Sequence, residues 1–184
     1  MSEEIFIRHC SPTMAGIKTA NLFTSRFKEE MEMKESIRSL NKILVKKGIR
    51  VLPLRYHCGF GLIYAYRPSK LSQDLKNSDA QRLLEERGYA SSGTPEQYIV
   101  QLMQRLTTDE VFPHEIGLFL GYPPEDVCGF IENKADGYKC VGEWKVYGDA
   151  DKAKKTFAKH KKCKEVYCRL YARGKSIERL TVAV

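Results

Sequence analysis

IRVLPLRYHCGFGLIYAYR, residues 49–67, decides the fold. Its two runs, Ile49–Tyr56 and Phe60–Arg67, are rich in β-branched and aromatic residues, which suit a pleated, half-buried surface. The three residues between them, His57-Cys58-Gly59, fit a hairpin loop in which Gly59 takes positive φ. Pro53 lies inside the first run and cannot donate to a ladder, so that strand is expected at a sheet edge or at a bulge.

Upstream, Ile5–His9 alternates enough for a short strand. Ser11 then reads as an N-cap with Pro12 at the first position of a helix over 12–21. Met33, Ile37, Leu40 and Leu44 recur at helical spacing within a helix over 29–47, which Gly48 ends. Downstream, Leu71, Leu75, Leu83 and Leu84 mark helical text. Thr94 and Gln97 form a capping box, and Gly121-Tyr122-Pro123 separates two short helices. Residues 138–149 suggest a strand pair or one bent strand. A basic helical segment then runs over about 150–174, and 177–184 read as a last strand or an extended tail. Strands at the start, middle and end, with helices grouped between them, predict an α+β fold: a single domain over 1–184 whose mainly antiparallel sheet includes the central hairpin and is flanked by helices.

A content of 42% hydrophobic against 29% charged residues excludes a disordered chain. The apolar runs fall far below the roughly 18–20 residues of a membrane span, so no membrane partner is expected. The acidic start MSEEIFIRHC lacks the features of a signal peptide, and the expected compartment is the cytoplasm. Six cysteines without a Cys-x-x-Cys pair are expected to be free thiols. The net charge of +8 resides in residues 150–179, where eight lysines and three arginines face three acids.

Cys10 draws attention as a thiol between a strand and a helix start, where unsatisfied amides favour an anion or a thiolate. The Cys-x5-Arg loop of cysteine phosphatases is excluded because Gly16 stands where the arginine belongs. What remains is a catalytic candidate pair, Cys10 with His9 as proton partner, and ligand-binding candidates Ser11, Thr13 and Lys18; the alternative is a buried structural cysteine. His57-Cys58 repeats the dipeptide, and a shared metal or haem site arises if the two pairs meet, the alternative being an exposed loop tip. His114 and Glu115 join the ligand-binding candidates, with a capping pair as the alternative, and the zincin motif fails at Leu118. Neither a dinucleotide loop nor a phosphate loop is present, so a nucleotide cofactor has no support in the sequence and the cofactor is left open. Lys155, Lys159, Lys161, Lys162 and Lys164 offer a phosphate-binding face to nucleic acid or an acidic partner.

In RHCSPTMAGIKTANLF, FPHEIGLFLGYPPEDVCGFIENK and WKVYGD the chain resembles an uncharacterised bacterial family, a domain of unknown function found mainly in anaerobic Firmicutes. The resemblance implies a cytosolic bacterial protein and carries over no catalytic residue. The expected function is binding of a small anionic or redox-active ligand near Cys10. The alternatives are nucleic-acid binding through residues 152–179 and a protein-protein module.

Overall fold

The computed structural model describes residues 1–108 and 111–183. Its contacts divide into two compact units, one of Met1–Ser69 with His160–Val184 and one of Lys70–Lys159. The fold is α+β, and its ladders are antiparallel.

In the first unit, β2 (Arg50–His57) and β3 (Phe60–Tyr66) form the expected hairpin, and β1 (Ala20–Arg26) joins the other side of β3 to give the order β1-β3-β2. The loop is one residue shorter than expected. His57 pairs with Phe60, leaving Cys58 and Gly59 at φ 48° and 80° to make the turn. Pro53 sits on an edge strand and at a register shift between Pro53 and Arg55. The outward ladder groups of that edge are partly met by Asn41, whose side-chain amide bonds both N–H and C=O of Val51 at 2.9 and 2.8 Å.

The expected strand over 5–9 and helix start at Pro12 are both corrected. Residues Glu3–Met14 form a helix, α1, with Ser2 as N-cap: its Oγ accepts from Ile5 N–H at 3.3 Å, and Glu3 and Glu4 complement the dipole. Phe6, Ile7, Cys10 and Met14 make its buried stripe, a spacing of four that outweighs five alternating residues. Pro12 lies inside the helix instead of opening it. α2 (Glu30–Leu44), a 3-10 turn (Val45–Lys47) and Gly48 at φ 77° follow the sequence reading, and Met33, Ile37, Leu40 and Leu44 are buried as expected. These side chains meet Phe23, Ile63 and Ala65 of the sheet and Ile177 and Leu180 in one core. Ile177–Leu180 is a helical turn, α9, capped by Ser176, and not the expected strand; Val184 lies outside the described residues.

Arg67 closes this core. It is fully buried, and its guanidinium donates to the carbonyls of Thr13 (2.7 Å), Met14 (2.9 Å), Lys47 (3.1 Å) and Val182 (2.7 Å). Two of these are C-terminal carbonyls of α1, which has no basic residue in its last turn, so Arg67 satisfies groups the helix itself leaves open.

The second unit is mainly helical: α3 begins at its border (Pro68–Asp74), followed by α4 (Ser78–Glu86), α5 (Pro95–Thr108), α6 (Ile116–Phe119) and α7 (Pro124–Glu132). The capping box is formed, Thr94 N–H donating to Gln97 Oε1 at 2.7 Å and Gln97 N–H to Thr94 Oγ1 at 3.3 Å. β4 (Cys140–Val141) and β5 (Lys145–Val146) make the small strand pair. The buried Asp126 carboxylate ties it to α7 by accepting from Tyr147 N–H, Gly148 N–H and Trp144 Nε1, each at 2.7 Å. The helix α8 (Ala150–Ala172) carries the chain from this unit into the first.

Candidate functional site

The candidates around Cys10 do not assemble into a site. Within α1 successive side chains diverge by about 100°, so His9 and Cys10 leave the helix in different directions. The His9 ring stacks on Phe23, centroids 4.8 Å apart. Burial, Lys164 and Arg8 all hold its pKa below the ordinary value. Cys10 is 0% exposed, and burial pushes its thiol well above the usual range despite the opposing charge of Lys18. A thiol held protonated and out of reach of solvent is a core side chain. Ser11 and Thr13 are equally buried: Ser11 Oγ donates to Ile7 O, and Thr13 Oγ1 donates to Asn21 Oδ1 at 2.8 Å. Lys18 is 8% exposed. The helix N-terminus expected at Pro12 is absent, and with it the field that made Cys10 a candidate.

His114 and Glu115 fare differently. They follow Pro113 into α6 and line an open cleft of about 780 Å³ in the second unit, together with Arg87, Arg105, Phe112, Phe130 and Lys134. Each wall comes from a different segment. Arg87 caps the C-terminal end of α4, and Arg105 projects from α5. Phe130 belongs to α7, and Lys134 lies just beyond it at φ 50°. The His114 ring lies between Phe130 and Phe112, at 4.9 and 5.9 Å. Val111 and Phe112, 71% and 43% exposed, give the rim an apolar character.

Glu115 is the cleft's internal fastener. It is buried, accepts from Tyr89 Oη at 3.0 Å, and lies 3.8 Å from Arg105 Nη1. Arg105 is held further by its Nη2 donating to Arg87 O and by stacking over the Tyr89 ring at 4.8 Å. Its guanidinium is therefore fixed in place before any ligand arrives. Three cations and one satisfied carboxylate leave the cleft electropositive, and Phe112 and Phe130 supply apolar walls. This arrangement suits an anionic group carried on an apolar body. Arg87, Arg105, Lys134 and the two phenylalanines escape sequence reading because no spacing announces residues that converge from separate segments.

The lysines of the basic segment lie on α8, and Lys155, Lys159, Lys161, Lys162 and Lys164 are all exposed. Among the described residues no group of three or more His, Cys, Asp or Glu side chains is placed to hold a metal ion, and the two His-Cys pairs do not combine. Among the same residues no helix is long and apolar enough to cross a membrane.

No curated protein and no solved structure matches this chain. A family model described as a protein of unknown function, DUF3793, matches residues 6–181, nearly the whole α+β fold from α1 to the end of α9, and the chain belongs to that family.

Proposed function

We propose that this chain is a cytoplasmic bacterial protein that binds a small organic anion in the cleft of its second unit. The observation that carries this reading is the convergence of Arg87, Arg105 and Lys134 on one open space walled by Phe112 and Phe130. A volume of about 780 Å³ falls within the roughly 300–1,000 Å³ usual for small-molecule sites. The fixed Arg105 takes a carboxylate or phosphate oxygen by charge-assisted hydrogen bonds. Arg87 and Lys134, both exposed, add attraction that salt weakens. The phenylalanines pack the apolar part.

Calorimetric titration with phenyl phosphate, which joins a dianionic head to an aromatic body, tests this. Saturable binding is expected, weakened about tenfold by Arg87→Ala and again by Lys134→Ala. Absence of saturable heat, or equal affinity in the double variant, contradicts it.

The exposure of the α8 lysines favours a second reading, contact with nucleic acid through phosphates. Retention on mixed DNA or RNA that falls steeply with salt and is lost in Lys155→Glu/Lys161→Glu/Lys162→Glu supports it. No retention at low salt removes it.

A further inference from the structure

The dipeptide that forms no site in α1 forms one at the hairpin tip. There the tight turn brings His57 Nε2 to 3.1 Å from Cys58 Sγ. Of the six cysteines, none of them in a disulfide, Cys58 alone is exposed. It opens onto a shallow cleft of about 600 Å³ lined by Arg26, Lys28, Glu32 and Cys58, within the first unit. Glu32 Oε2 is engaged by the Lys28 backbone N–H at 2.8 Å. The cleft therefore presents a nucleophile, a base within hydrogen-bonding distance and two cations together, the set that thiol-disulfide exchange needs. With no cysteine partner of its own, the thiol can form a disulfide only with an incoming molecule.

We infer that Cys58 is a thiol-exchange site that accepts an anionic low-molecular-weight disulfide and forms a mixed disulfide with it. With His57 in the tautomer protonated at Nδ1, Nε2 takes the proton from Cys58 Sγ. The thiolate attacks one sulfur of the incoming disulfide, whose S–S bond breaks as the Cys58 S–S bond forms. The other half departs as a thiolate. Cys58 is oxidised to a disulfide and the departing sulfur is reduced, so no further oxidant enters. Arg26 and Lys28 attract the negative charge of the reagent. A reducing thiol reverses the step by the same route.

The test uses the full chain with 5,5′-dithiobis(2-nitrobenzoate), an anionic disulfide, at neutral pH, with peptide mapping of the modified cysteine. Exposure alone makes Cys58 fast, so the informative quantity is its rate in the folded chain relative to the same residue in the urea-unfolded chain. That ratio should be about ten, and His57→Gln, which keeps the size of the side chain, should bring it close to one. Arg26→Ser/Lys28→Ser should slow the anionic reagent several-fold while leaving the neutral 4,4′-dithiodipyridine unchanged. A folded-to-unfolded ratio of one or less, or a rate indifferent to His57→Gln, overturns the proposal. Equal loss with both reagents in the double variant overturns the selection for anions.

Discussion

Two segments carry most of the catalytic and ligand-binding candidates, His9 to Thr13 in α1 and Pro113 to Glu115 at the entry to α6, and they end in opposite circumstances. In α1, Cys10, Ser11 and Thr13 are all 0% exposed, and both hydroxyls bond inside the fold. At α6, Glu115 is just as well buried, but its carboxylate holds Arg105 at the wall of an open cleft and His114 stands at the rim. Burial closes the first segment and organises the second. The lesson is that a polar residue contributes to a site through what it holds in place, and proximity in sequence to a helix start does not supply that.

The contrast breaks most readily at Cys10. Its alkylation by iodoacetamide should be slower in the folded chain than in the unfolded one by a factor on the order of 10³ or more, since access requires opening of the core. Comparable rates in the two states contradict the closed description of α1. Next comes Arg67, which holds that core shut through four carbonyls. Arg67→Met should cost about 3–5 kcal/mol, seen as a fall in the urea midpoint, and should raise the Cys10 rate in parallel. A cost under about 1 kcal/mol means that water replaces the guanidinium without loss.

A smaller effect probes the other side of the comparison. Tyr89→Phe removes the hydroxyl that donates to Glu115 and should destabilise by about 1–2 kcal/mol. It should also weaken phenyl phosphate binding, because Arg105 loses a fixed partner. Lost stability with unchanged affinity separates Glu115 from the cleft.

The smallest expected effect is the pH response of His9. Burial and the nearby Lys164 and Arg8 hold its pKa below 6.5, so as pH falls the unfolded chain takes up the proton first. The contribution of His9 to stability is therefore complete above about 6.5 and declines below it, until folded His9 also protonates. The residue is exposed apart from the ring face that stacks on Phe23, so the change is small. Lys164→Met should raise the NMR titration midpoint of His9, and an unmoved midpoint contradicts the coupling.

How much of this was legible depended on whether the signal was local. The hairpin, the Thr94 capping box, the Gly121 break and the buried stripe of α2 are set by residues within a turn or two of one another, and each was readable. Residues 5–12 misled because Ser11-Pro12 imitates a helix start while the true cap, Ser2, lies nine residues earlier. β1 gave no separate signal. Its pairing with β3 joins Ala20 to Tyr66, a contact no local window contains. The cleft was half legible: His114 and Glu115 were picked out, but Arg87, Arg105 and Lys134 join them only through the fold. The two His-Cys pairs make the same point, since identical letters give a closed core in a helix and a contact of 3.1 Å at a hairpin tip.

The most direct test of the cleft is an NMR titration with phenyl phosphate that follows His9 and His114 in one spectrum. The ring signals of His114 should shift saturably while those of His9 stay fixed. A saturable shift at His9 with His114 silent would place the anion site at α1 and contradict the assignment to the cleft.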